Sequence, residues 1–267
     1  MEWLQFKREI PSIQPDFVFS IGSFHISNTT LYLFAIALFL LVGLFILKPK
    51  LSTLPGKFQS IIEIMYESVL GLIKQITGSD YHAQKVFYII GSLFLFIGFA
   101  NFSGLIPGLT SITYDGVSIF RTPTSDFNTT VALALGSVIV LHIVSIADWG
   151  VFGHLGKFFK FKEVFLGFKQ GIGAGAMALV DFLLGLLDII GELAKVISLS
   201  LRLFGNMYAG EVLMTILIGS LAYAVPSLWF AMSMLSALVQ AIVFGSLVTV
   251  FYMLAIKPDS SSGSERA

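Results

Sequence analysis

Apolar residues fill this chain in runs of helix length, and polar residues gather between the runs. The first run covers about residues 30–47 (LYLFAIALFLLVGLFILK) and ends at Lys48-Pro49-Lys50. A second covers about 86–106 and stops at Pro107 and Gly108; a third covers about 129–147. Each comes close to the ~20 apolar residues that a helix needs to cross a ~30 Å hydrocarbon layer. Between the first two, residues 57–77 (KFQSIIEIMYESVLGLIKQIT) bring Ile61, Ile64, Met65, Leu72 and Ile76 near one face. Lys57, Glu63, Glu67 and Lys74 fall largely elsewhere. That two-faced pattern predicts a helix lying in the membrane interface rather than crossing it. Residues 153–171 (GHLGKFFKFKEVFLGFKQG) mix lysines with aromatics and read as a surface segment.

The last two apolar stretches are too long for upright spans. As single helices, 172–219 would measure ~70 Å and 222–256 ~50 Å at ~1.5 Å per residue. The sequence DIIGELAKV (188–196) has no proline and continues as helix. The prediction is therefore a pair of long, strongly tilted helices joined by a short turn near 219–226, with Pro226 starting the second.

Composition narrows the class. Of 267 residues, 56% are hydrophobic and only 12% charged, and mean hydropathy is +0.88. Soluble domains carry about 25% charged residues. The expected fold is an all-α integral membrane protein: about five membrane helices, one interfacial amphipathic helix and a tilted C-terminal hairpin. It forms a single membrane domain, with 1–29 an external N-terminal segment, 86–147 a helical hairpin and 172–256 the tilted hairpin. Net charge is +0, so nothing points to nucleic acid. Cysteine is absent, which excludes disulfides, cysteine-bound zinc and thiol chemistry. The N-terminal MEWLQFKREIPSIQPD lacks the apolar core of a signal peptide, and Pro11 and Pro15 interrupt it.

Orientation follows from the basic loops. The 48–60 linker carries three lysines and no acid, and 153–171 carries four lysines and one glutamate. The loop between the second and third spans has Arg121 with Asp115 and Asp126. The lysine-rich loops are expected on the cytoplasmic side, the N-terminus outside and the C-terminus inside.

Against this background one residue stands out. Arg202 lies in SLSLRLFGNMYAGE (198–211), inside a long apolar run. An arginine at membrane depth costs at least ~2.5–3.5 kcal/mol on insertion scales. It cannot escape by losing its proton. Asp181, Asp188, Glu192, Lys195, Arg202 and Asn206 are spaced to share one helix face. The first four fit an interfacial turn paired at i,i+3 and i,i+4 as well as an ion path; Arg202 fits only the path. Glu211 is nine residues further on, about 180° around the helix, so it is no simple partner for Arg202. The arginine is expected to find its anion on another helix or chain.

Gln240, in SALVQAIVFGS, is either interhelical glue or a hydrogen-bonding neighbour of Arg202 across the hairpin. His142, alone within the third span, is a candidate relay or a hydrogen-bonded core residue. GIGAGA (171–176) lacks the strand and spacing of a dinucleotide site, and no phosphate-binding loop accompanies Lys157. No cofactor or metal is expected, and the chain shows no means of using ATP itself.

The run ISLSLRLFGNMYAGE resembles subunit a of F-type ATP synthases, the stator of the proton-translocating membrane sector. PTSDFNTTVALALG (123–136) and LVQAIVFGSLVTVFY (238–252) extend the likeness over most of the chain. The resemblance implies that Arg202 is the stator arginine facing the ionisable carboxylate of the rotor ring. It places Asn206, Glu211 and Gln240 near that arginine and the outer half-channel, and Asp126 and Asn128 at the channel mouth. Asp188, where the family usually has glutamate, and Ser198 match the inner path. Two positions depart: Val196 stands where proline is common, and Ser233 where some members have a histidine partnering the channel glutamate. A relay from Glu211 through water or His142 would replace that partner.

The implied function is a non-catalytic subunit of the ATP synthase, multi-pass in the cell inner (plasma) membrane. Its implied partners are rotor ring subunit c, peripheral stalk subunit b and membrane lipid. A stand-alone secondary transporter or channel is the alternative; it would be expected to show internal repeats and broken helices, and no repeat is visible. A purely structural anchor leaves Arg202 unexplained.

Overall fold

The computed structural model describes residues 12, 14–21, 24–47, 55–106, 109, 112–114, 117–220 and 224–256. Pro11, Lys48-Pro49-Lys50, Pro107-Gly108, Asp115 and residues 221–223 of the turn between the last two helices lie outside the described residues. Eight α-helices are described: α1 (Asn28–Leu47), α2 (Lys57–Thr77), α3 (Asp80–Gly104), α4 (Phe127–Trp149), α5 (Val151–Phe158), α6 (Phe161–Gln170), α7 (Ile172–Ser220) and α8 (Ala224–Ala255). Five of them, α1, α3, α4, α7 and α8, are long and apolar enough to cross a membrane. The chain is an all-α integral membrane protein.

The helix α7 runs unbroken through DIIGELAKV for 49 residues. At ~1.5 Å per residue that is ~74 Å, more than twice the ~30 Å of hydrocarbon, so it is strongly inclined. Two small hairpins, not foreseen from the sequence, sit among the helices. β1 (Phe17–Ile21) pairs antiparallel with β2 (Phe24–Ser27), and β3 (Thr113–Tyr114) with β4 (Val117–Ser118). The 153–171 segment, read as surface, folds into α5 and α6.

The chain divides into two compact units, Met1–Leu133 with Leu199–Thr249, and Ala134–Ser198 with Val250–Ala267. In the first, the β1–β2 hairpin leads into α1, where the Ser27 hydroxyl accepts the Thr30 N–H and caps the helix. The amphipathic α2 turns into α3 at Gly78, whose φ of 66° suits glycine. A Lys74–Asp80 ion pair of 2.9 Å spans that turn. Ile90 and Ile97 on α3 and Ala241, Phe244 and Val248 on α8 form a buried core. Tyr32 and Ile36 of α1 close a second cluster with Ala100 and Phe120.

In the second unit, the α5 lysine Lys157 donates to the Ala255 carbonyl in the last turn of α8 at 2.6 Å. Ser145 and Trp149 donate to the same oxygen at 2.8 and 3.2 Å. A helix C-terminus carries unsatisfied carbonyls and partial negative charge, so a lysine there is favourable. Gly185 of α7 lies so close to the Phe158 carbonyl that no side chain fits between them.

Candidate functional site

Two polar clusters interrupt the apolar packing, one in each unit. The first is built on the loop before α4. Pro123–Ser125 form a single 3-10 turn with Pro123 at its start, where a missing N–H costs nothing. Arg121, just before it, is buried. Its guanidinium donates to the Gln14 carbonyl at 2.8 Å and to the Ser12 carbonyl and hydroxyl, tying the segment before β1 to the loop. The guanidinium Nε is buried with no acceptor. Gly104, at the end of α3, faces Thr122 at a separation no Cβ could occupy, so only glycine lets the loop seat there.

Asp126 follows the turn and is buried. One carboxylate oxygen accepts the Asn128 N–H at 3.1 Å; the other accepts the hydroxyls of Thr29 at 3.0 Å and Thr129 at 3.2 Å. Asp126 thus caps the positive end of α4. Beside it opens a hollow of about 690 Å³ lined by Asp126, Asn128, Thr30, Ser27 and His25 among others. Asn128 is exposed there.

Glu211 on α7 reaches this loop. Its carboxyl group hydrogen-bonds Thr122 and Ser125, and Arg121 acts on it electrostatically. The Thr124 hydroxyl donates to Asn101 Oδ1 at 2.7 Å, leaving the Asn101 amide Nδ2 buried without an acceptor. Gln240 on α8 is buried, and its Nε2 likewise has no partner. Asn206 accepts the Ser236 hydroxyl at 2.8 Å. The first unit therefore brings together Asp126 and Asn128, and separately sets Glu211 on the same loop.

Arg202 is different. Leu199, Leu203 and Met207 turn inward and are buried; Arg202, about 100° from Leu203 around the helix, is exposed. Among the described residues it has no hydrogen bond or ion pair, with Gln240 or with any acid.

The second cluster lies in the other unit. Asp188 and Ser198 of α7 are exposed. Glu192 pairs with Lys195 at 2.6 Å, the i,i+3 contact that the spacing allowed, and Lys195 lies over the Phe251 ring. His142 faces Glu192, with 3.8 Å between Nε2 and Oε2. This places His142 with Glu192; the partners of Glu211 are instead the hydroxyls of Thr122 and Ser125. His154 of α5 is buried and shares a 2.9 Å hydrogen bond with Ser145. Burial, then the nearby His142 and Lys157, push its imidazole below the ordinary histidine range, against a smaller pull from Glu192.

Sequence reasoning passed over Arg121, Thr122, Ser125 and Asn101. Asn101 carried a signal, a lone amide in an apolar run like Gln240. Arg121 carried a weaker one, the sole cation in a loop with two aspartates. The hydroxyls carried none.

Among the described residues no group of three His, Asp or Glu side chains could hold a metal ion. The pattern of the ATP synthase A chain family matches residues 29–253. The chain is similar to ATP synthase subunit a of Moorella thermoacetica, 30% identical over 241 residues, spanning 90% of this chain and 95% of the relative. It is similar to ATP synthase subunit a of Desulforamulus reducens, 34% identical over 207 residues, spanning 74% of this chain and 67% of the relative. A third relative, ATP synthase subunit a of Geotalea uraniireducens, is 30% identical over 249 residues and 93% of each chain. With five membrane helices and a match across most of its length, the chain belongs to the ATP synthase A chain family, the subunit a of F-type ATP synthases.

Proposed function

We propose that this chain is the non-catalytic stator of the ATP synthase membrane sector, offering protons two separate half-paths and a fixed arginine between them. The carrying observation is Arg202: an exposed cation in a candidate membrane span, unpartnered among the described residues. A permanent charge at that depth requires an anion. A carboxylate of rotor ring subunit c, passing the α7 surface, supplies it.

The outer half-path begins at the hollow beside Asp126 and Asn128 and continues by Glu211, Asn206 and Gln240. The buried donors Asn101 Nδ2 and Gln240 Nε2 offer hydrogen bonds to water along it. A proton delivered there neutralises the rotor carboxylate, which can then face lipid at lower cost. After nearly one turn the carboxyl group meets the inner path at Asp188 and Ser198. Arg202 favours the ionised carboxylate and so promotes release. The same charge repels a proton crossing directly between the half-paths.

The chain works as one membrane domain in the inner (plasma) membrane, N-terminus outside and C-terminus in the cytoplasm, with peripheral stalk subunit b beside it. The test is Arg202→Ala in the assembled synthase, reconstituted in vesicles. Coupled ATP synthesis is expected to disappear while the complex still assembles; normal coupled synthesis would defeat the reading.

A further inference from the structure

The second unit holds a run of exchangeable protons that the inner path above does not use. Glu192 of α7 gives Oε1 to Lys195 at 2.6 Å and turns Oε2 toward His142 Nε2 of α4 at 3.8 Å. The His142 ring meets the His154 ring edge-on, 5.2 Å between centroids, and Phe158 flanks both. His154 Nδ1 is 2.9 Å from the Ser145 hydroxyl, and Lys157 reaches that hydroxyl at 3.1 Å. Glu192 and His142 are partly exposed, whereas His154 is buried.

We propose that Glu192 and His142, backed by His154, form the proton-releasing relay at the inner end of the path. The inference rests on the stator reading given above and adds residues to it. Imidazole is the side chain suited to the task, because its charge changes near neutral pH and its two nitrogens take a proton on one side and yield it on the other. The proton leaves Glu192 Oε2 and bonds to His142 Nε2. The imidazolium then gives its Nδ1 proton to water on its exposed side, and ring exchange restores the starting tautomer. A rotation of ~1 Å brings the 3.8 Å gap into hydrogen-bond range.

The charged and titratable groups around His142 favour turnover over trapping. The Glu192 carboxylate faces the imidazolium once it forms, while Lys195 beside it and Lys157 behind His154 add positive charge that opposes its persistence. His154, pushed below the ordinary histidine range by burial and then by His142 and Lys157, is a poor competitor for that proton. A purely structural role is already filled by other groups. Ser145, Trp149 and Lys157 fasten α4 and α5 to the end of α8 without His142.

The test uses the intact synthase in vesicles, with His142→Asn, which keeps polarity and removes titration. ATP-driven proton pumping and ATP synthesis are expected to fall ~10²-fold, within the range for loss of a positioned acid–base group. Imidazole added on the face bearing α5 and α6 is expected to restore the rate, and the same imidazole on the opposite face is not. Glu192→Gln is expected to lose activity that imidazole does not repair. Full rate in His142→Asn at every pH, or a loss that imidazole leaves unchanged on that face, overturns the relay. If Arg202→Ala is inactive and His142→Asn fully active, only the relay falls; if Arg202→Ala stays coupled, the stator reading falls.

Discussion

Arg121 and Arg202 carry the same guanidinium into opposite surroundings. Arg121 is buried in a loop, donates to the carbonyls of Ser12 and Gln14, and acts on Glu211 from nearby. Arg202 stands exposed on α7 with no described partner. A cation enclosed by its own chain holds structure together. A cation that its chain leaves exposed, on a helix long and apolar enough to cross a membrane, needs its anion or water from elsewhere if it lies in hydrocarbon.

Substitutions sharpen that contrast. The largest effect belongs to Arg202→Ala, for which coupled ATP synthesis in reconstituted vesicles is expected to vanish with assembly intact. Glu211→Gln follows. It keeps the hydrogen bonds to Thr122 and Ser125 but no longer exchanges a proton, and passive proton flux through the membrane sector is expected to fall by ~10²-fold. Unchanged flux would remove Glu211 from the outer path. Arg121→Gln tests the enclosed arginine. Breaking a buried charged network costs on the order of 2–3 kcal/mol, so thermal unfolding in detergent is expected to begin at lower temperature. Flux per assembled complex should drop only a few-fold. If Arg121→Gln were as stable as the parent and as inactive as Arg202→Ala, the distinction between the two arginines would be lost. Gln240→Leu is the mildest. It removes a buried donor that lacks a protein partner, so stability is expected to hold or rise by about 1 kcal/mol, with a modest loss of flux measured by pH-sensitive dye.

The helices were legible because a membrane imposes length and polarity on a sequence. The amphipathic residues 57–77 emerged as α2, and the overlong C-terminal runs as α7 and α8. Arg202 was legible for the same reason: one charge in an apolar run needs no alignment to be noticed. The partners were not legible. Glu211 meets hydroxyls on a loop far away in sequence, and spacing along one helix says nothing of which helix lies alongside. His142 illustrates the same gap, since its neighbour Glu192 was visible only as half of an i,i+3 pair with Lys195. The β1–β2 hairpin escaped notice because its short strands, Phe17–Ile21 and Phe24–Ser27, lie in a segment read only as external.

The inclination of α7 has a geometric consequence. A rod of ~74 Å crossing ~30 Å of hydrocarbon advances farther sideways than it descends. Any two of its residues that differ in depth also stand at different points along the membrane plane. Order along the sequence thereby becomes order along the membrane plane as well as through its depth.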